Sequence, residues 1–271
     1  MVKRGAMYLL LLVVALFCTW PILWQFITSL KPEAELISLP PVLPNKPTIS
    51  HYQSVLLESS FIAALKNSFL VAIFTTLISL AFGGLAAFAL AKLNLIGSSL
   101  FLAAILSISM FPPIATISPL YVLVNSFGLR DTVLALVGLY STFSLPLSVW
   151  ILTSFFKSVP DELLQAARVD GCSTFQIFYK IMLPVCMPGL IATTILVFIF
   201  SWNEFLLALT FSVTEASRTV PVAIALFPGL HEVPWGEISA ASIVVTAPIG
   251  LLVFMFQRKI VAGLTAGSVK G

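Results

Sequence analysis

The chain has 271 residues, 59% of them hydrophobic and only 9% charged, with a mean hydropathy of +1.07. A soluble domain carries roughly a quarter charged residues, so this composition excludes one and points to an all-α integral membrane protein. A net charge of +3 gives no reason to expect a nucleic-acid partner, and three cysteines and two histidines supply neither a disulfide framework nor a metal cluster.

Six apolar runs are long enough to cross a bilayer, which takes about 20 residues each: 7–29, 67–91, 99–118, 132–155, 185–209 and 239–256. The first follows Lys3 and Arg4 as a signal core would. It is too long for one, no small-residue cleavage site follows, and Pro21 to Trp24 continue it, so a retained span is expected. Residues 31–66 form the longest outer segment. Pro32, Pro40, Pro41, Pro44 and Pro47 make its start an extended connection, and 51–65 reads as a short interfacial helix. In the second span Gly83, Gly84, Ala87 and Ala91 form a small-residue stripe suited to tight packing within this subunit. Pro112, Pro113, Pro119, Pro146 and Pro248 bend or break spans. Either the helices line a cavity that rearranges, or these are the prolines common in membrane helices. In the 119–131 connection, Tyr121 and Arg130 suit an interface.

Between the fourth and fifth runs lies a polar island, 157–184. Pro160 sits where a first helical turn tolerates it, and Asp161 and Glu162 place negative charge at that turn's positive end. After Gln165, Ala166 and Ala167 leave a face with almost no side chain, and Gly171 supplies a left-handed exit beyond Asp170. Ser173 caps a second short helix whose apolar positions are Phe175, Phe178, Ile181 and Met182. The island is a compact helix-turn-helix with a bare face for close docking by another protein. Such an element couples one protein to another.

In the fifth run the segment Ser201, Trp202, Asn203, Glu204 places a carboxylate inside an apolar stretch. A charge there costs roughly 2.5–3.5 kcal/mol at mid-bilayer and tends to face a cavity or partner. Asn203 and Glu204 either line the translocation pathway or its outer gate, or form an interfacial group bonded within the bundle. Trp202 suits either stacking on a ligand ring or an aromatic belt. Residues 211–238 are polar and rich in proline and glycine, with a shallow re-entrant turn expected over 223–230. His51 and His231 read as surface residues. The tail 263–271 is small, flexible and glycine-punctuated, and by itself reads as a frayed terminus.

Six spans put both termini on one side. Lys3, Arg4, Lys92, Lys157, Arg168, Lys180, Arg258, Lys259 and Lys270 then share that side, nine in all, against five for Lys31, Lys46, Lys66, Arg130 and Arg218. The richer side is expected to be cytoplasmic, which places the 157–184 loop and both ends there. The chain carries no GxxxxGK[ST] phosphate loop and no Ser/His/Asp, Cys/His or HExxH arrangement. Energy for any transport must come from an ion gradient or a separate ATPase, and the docking loop favours the ATPase.

The spacing A-A-x3-G-x9-I-x-L-P, carried by Ala166, Ala167, Gly171, Ile181, Leu183 and Pro184, resembles the cytoplasmic loop of permease subunits in bacterial ATP-driven importers. The surrounding text FFKSVPDELLQAARVDGCSTFQIFYKIMLP (155–184) is most similar to the carbohydrate-importer branch. PILWQFITSLKP (21–32), SWNEFLLAL (201–209) and GLTAGSVKG (263–271) are similar to signatures of the second permease subunit in maltose-type systems. One departure is Gln165, where the family usually has glutamate; glutamine keeps the hydrogen bonding and loses the charge.

The resemblance implies a type I ABC importer transmembrane domain of six helices, spanning the whole chain, in the bacterial inner membrane. It implies a homologous permease partner, two ATPase subunits that bind ATP and magnesium, and an extracytoplasmic sugar-binding protein. Glu162, Gln165, Ala166, Ala167, Asp170, Gly171, Ile181, Leu183 and Pro184 would form the ATPase-coupling loop. Gly263, Thr265, Gly267 and Lys270 would reach the groove between the ATPases. The chain would hold no metal or cofactor and catalyse no bond chemistry itself. Import of a polyol, glycoside or phosphodiester is the alternative within the architecture. An ion-coupled secondary transporter is the more distant one, and would require several buried charges and internal pseudo-symmetry.

Overall fold

The computed structural model describes residues 2–37, 41–58, 60–227 and 233–266. Fourteen helices and no strand occur among the described residues. The first three are α1 (Val2–Ser29), α2 (Glu33–Ile37) and α3 (Ser50–Gln53), the last running into a wide π-type turn, Ser54–Glu58. Then come α4 (Phe61–Lys92), α5 (Ser98–Ser109), α6 (Pro113–Ser126), α7 (Val133–Ser158), α8 (Asp161–Val169) and α9 (Thr174–Ile177). A second π-type turn, Phe178–Met182, leads to α10 (Leu183–Val185), α11 (Met187–Asn203), α12 (Leu206–Phe211), α13 (Val220–Ala225) and α14 (Trp235–Ala266).

Four helices are long and apolar enough to span: Met7–Ser29, Phe61–Lys92, Val133–Ser158 and Trp235–Gln257. Counting each of two bent pairs as one span brings the number up to six. The expected third span, 99–118, is not one helix: α5 and α6 meet at 89°. Pro113 has no N–H to give and restricts Pro112, which is extended at ψ 125°, so the first helix must end and Pro113 begins the next. The expected fifth span, 185–209, is likewise divided. Its main helix starts only at Met187, after an 81° bend from the preceding segment Thr174–Val185, and ends at Asn203. The expected re-entrant turn over 223–230 begins inside α13, and its end lies outside the described residues.

The chain divides into two compact units. One holds residues 1–62 and 222–249. Here α1 presents apolar side chains outward along its length, from Met7 to Trp24. The outer connection is held by short polar ties. The Ser29 and Tyr52 hydroxyls pair at 2.7 Å, the His51 ring meets the Lys31 carbonyl at 2.8 Å, and Ser54 donates to Glu237 at 2.7 Å. The buried Lys31 ammonium lies 4.7 Å over the Trp24 ring, a contact that offsets part of its desolvation.

The other unit holds residues 63–221 and 250–271, with α7 as its centre, packed against α5, α11 and α12. The small-residue stripe works here as expected. A Cβ at Gly83 would stand 2.8 Å from the Ser148 Cβ, so glycine is what lets α4 close on α7. One turn earlier the buried Ser79 and Ser144 hydroxyls bond across the same seam at 2.7 Å. Ala87 and Phe88 of α4 join Leu152 and Phe156 of α7 in a core that extends into α8 through Leu164 and Ala167.

Candidate functional site

The 160–184 hairpin is built almost entirely from local bonds. Pro160 stands at the N-cap of α8 rather than inside its first turn, with Asp161 and Glu162 following and Arg168 near the end. Asp170 closes the helix, and Gly171 exits at φ +83°. Cys172 N–H then donates to the Ala167 carbonyl at 2.9 Å and Gly171 N–H to Arg168 at 3.1 Å. This is the Schellman closure, which takes up carbonyls the helix end would leave orphaned. Ser173 and Gln176 bond reciprocally, Ser173 N–H to Gln176 Oε1 at 2.7 Å and Gln176 N–H to Ser173 Oγ at 3.3 Å, as a capping box at the start of α9.

The two alanines divide. Successive helix residues point about 100° apart, so Ala167 is buried against the bundle while Ala166 faces out. The bare face is therefore one alanine wide, flanked by the exposed Glu162, Gln165 and Asp170, with Gly171 exposed at the turn. The second helix also corrects its expected stripe. Ile177, Phe178 and Met182 are buried with Ile181 and Leu183 packed on them, whereas Phe175 is 64% exposed and Pro184 faces out. The wide turn at Phe178–Met182 shifts the register that a uniform helix would have kept. Leu163, Val169, Phe175 and Tyr179 remain as exposed apolar side chains.

The break in the fifth span is organised by Glu204. Its Oε1 accepts from Leu207 N–H at 2.9 Å and its Oε2 from Ala208 N–H at 3.1 Å. The carboxylate thus caps α12, where the helix dipole favours negative charge. On α7 the fully buried Tyr140 hydroxyl lies beside Glu204 and Thr219. Neither hydroxyl reaches hydrogen-bond geometry. Trp202 is buried, stacked on Phe198 with centroids 5.6 Å apart and edge-on to Phe69 at 4.7 Å, while Asn203 is exposed. In the tail, α14 stays helical to Ala266, past the expected end of the sixth span at 256. This carries the backbone of Gly263 and Thr265 in a helix where a flexible tail was expected; nothing between 257 and 266 is a proline that would stop it. Gly267 and Lys270 lie outside the described residues.

Three polar anchors escaped the reading of the sequence. Lys92, counted there only as a charge, is buried at the end of α4. Its Nζ donates to the Val159 carbonyl at 2.6 Å and pairs with Asp161. The buried Asn67 amide reaches the Ala216 and Arg218 carbonyls, each at 3.1 Å. Asp131, in the left-handed region at φ +60°, gathers the 212–220 loop. Its Oδ1 accepts from Val213 N–H at 2.8 Å, Thr214 N–H at 3.0 Å and Ser217 Oγ at 2.6 Å, and its Oδ2 from Thr214 Oγ1 at 2.6 Å. Partial burial pushes this carboxyl's pKa up, but the Ser217 and Thr214 hydroxyls and the two backbone donors outweigh it and hold the group well below the usual carboxylate range. The available signal was a polar residue at the edge of an apolar run.

Residues 79–265 match the family described as binding-protein-dependent transport system inner membrane component. The chain is 43% identical over 253 residues to the trehalose transport system permease protein SugB of Mycobacterium tuberculosis, covering 93% of this chain and 92% of that one. It is 40% identical over 263 residues to the sulfoquinovosyl glycerol transport system permease protein SmoH of Agrobacterium fabrum, covering 97% and 91%. A bacterial ABC transporter involved in the import of the acidic polysaccharide alginate shares the fold, with a TM-score of 0.82 at 22% identity over 95% of this chain and 96% of that one. The match over more than half the chain, the two relatives and the loop geometry agree: this chain belongs to the binding-protein-dependent transport system inner membrane components.

Proposed function

We propose that the chain is a permease subunit of an ATP-driven carbohydrate importer of the bacterial inner membrane. The observation that carries this is the 160–184 hairpin. It is rigidly closed by the Schellman turn at Gly171 and the Ser173 capping box, anchored on one side to the bundle, and it leaves Ala166 and a rim of exposed apolar side chains on the other. Such a hairpin suits docking into a cleft of an ATPase. The carbohydrate assignment is supported by the relative named for trehalose transport.

In this reading a homologous permease completes the pathway, and two ATPase subunits bind ATP and magnesium. A sugar-binding protein delivers substrate from outside, and lipid surrounds the bundle. Both termini and the hairpin face the cytoplasm, following the nine-to-five split of lysine and arginine. Gly263, Thr265, Gly267 and Lys270 extend toward the ATPase groove. Asn203 and Glu204 border the pathway or its gate at the break between α11 and α12, where Glu204 holds the second half-helix. ATP-driven closure of the ATPase pair moves the hairpins and shifts the population between inward-open and outward-open arrangements. The chain contributes no bond chemistry.

Vesicles holding the complete complex with its binding protein should take up radiolabelled trehalose when ATP is supplied and the ion gradients are collapsed. Uptake that persists without ATP, or that vanishes with an ionophore, would overturn the reading. Glycoside import is the second reading, favoured by the 40% identity to SmoH; trehalose-negative vesicles that take up a glycosyl glycerol would select it.

A further inference from the structure

Lys92 is a buried cation that the transport reading leaves without a task. It closes α4, and its side chain is 4% exposed. A buried ammonium is strongly unfavourable unless it is paired and hydrogen-bonded. The partner that stands out is the Val159 carbonyl, 2.6 Å from Nζ. Pro160 explains why that carbonyl is free: it restricts Val159 to an extended conformation, ψ 128°, which carries the carbonyl out of the helical ladder of α7. Val159 itself is buried, so water cannot easily take its place. The second partner, Asp161, opens α8 and is 72% exposed. The buried Cys186 thiol, at the bend before α11, lies within electrostatic reach of the same ammonium.

One side chain therefore touches the end of α7 and the start of α8 from the end of α4. Only Val159 and Pro160 separate α7 from α8. Apolar contacts through Leu164 and Ala167 hold α8 to the bundle, but such contacts are non-directional. A hydrogen bond to a charged donor is directional and roughly twice as strong as a neutral one. We propose that Lys92 is a positioning residue that locks the Val159–Pro160 joint, so that α8 moves as one body with the ends of α4 and α7. This rests on reading the hairpin as the ATPase-docking element: a force applied to α8 would reach the spans through a stiff joint rather than being lost in a bend.

The test uses the complete complex in lipid nanodiscs. In Lys92→Met, amide hydrogen exchange over 161–169 should rise about tenfold, while exchange in α7 and the amount of co-purifying ATPase stay at wild-type levels. In the same preparation, stimulation of ATP turnover by the binding protein should fall about tenfold. Lys92→Arg keeps the charge and should hold both readouts within about twofold of wild type. Asp161→Asn removes only the exposed pairing and should move them less than about threefold. Wild-type exchange and stimulation in Lys92→Met would overturn the proposal. So would loss of the ATPase from that complex, or failure of Lys92→Arg to restore coupling. Should Lys92→Met not insert, Lys92→Gln decides: unchanged exchange over 161–169 overturns the lock, and an increase confined to that stretch supports it. A wild-type complex that never retains an ATPase would instead sink the proposed function, and the exchange readout would still judge the joint.

Discussion

The two ends of α7 carry polar turns made by opposite means. At its start, Asp131 draws four hydrogen bonds from the 212–220 loop, and that loop is tied again by Asn67 and by Ser68, which accepts from Val220 N–H at 2.8 Å. At its end the 160–184 hairpin rests on a cluster of Leu164, Ala167, Ile177, Phe178 and Met182, with Lys92 as its charged tie. Hydrogen bonds are directional and hold one geometry. Apolar packing holds a position while leaving small displacements inexpensive. The first turn is held by directional bonds, the second by apolar packing with a single charged tie.

The comparison breaks most readily at Gly171. At φ +83° a β-branched residue costs about 1–2 kcal/mol, which shifts an equilibrium roughly 5–30-fold. Gly171→Val should insert normally while ATP-driven uptake falls by that factor in vesicles. A Cβ there would meet nothing within 4 Å, so the cost lies in the backbone and not in a clash. Gly171→Asn, a residue that tolerates this region, should therefore keep most of its uptake. Equal losses for Val and Asn would place the cause elsewhere.

Acid sharpens the other end. Asp131 has a lowered carboxyl pKa in the folded chain, so its contribution is full above the ordinary value of about 3.9 and drains away as pH falls through the lowered one. Protection of the Val213 and Thr214 amides, corrected for intrinsic exchange, should drop below about pH 4. Asp131→Asn keeps one acceptor oxygen but loses the charge, and at neutral pH it should lower the same protection roughly threefold or more. The hairpin amides of Asn-substituted and wild-type chains should match. The smallest effect is expected at Gln165. It is exposed on α8, so Gln165→Glu adds a charge that stays in water and should change uptake by no more than about twofold.

The hairpin was legible because its closing bonds are local. The turn at Gly171 and the Ser173 cap each satisfy a backbone group within five residues, and the first-turn acids act on the adjacent helix end through its dipole. The face that α8 would bury was not legible, because either alanine can turn inward until the bundle supplies a partner. Pro112 and Pro113 announced a disturbance in the third span but not its size, since a proline pair is compatible with a kink or with the 89° turn observed. Glu204 was flagged as costly in a span; that its oxygens cap a new helix required the chain to break just after Asn203.

Composition and hydrophobic run length alone determined that this protein is a bundle of membrane-spanning helices, and turn chemistry alone determined a hairpin between the fourth and fifth of them. Those signals are short-range: Cys172 finds Ala167 five residues back, at almost no cost in loop closure. Tertiary structure decided which polar groups the bundle buries. Lys92 meets Val159 across 67 residues, Asp131 meets Ser217 across 86, and Asn67 meets Arg218 across 151. No local pattern encodes such pairings, because each forms only after packed helices have met the closure entropy of the intervening chain and water has been excluded from both partners.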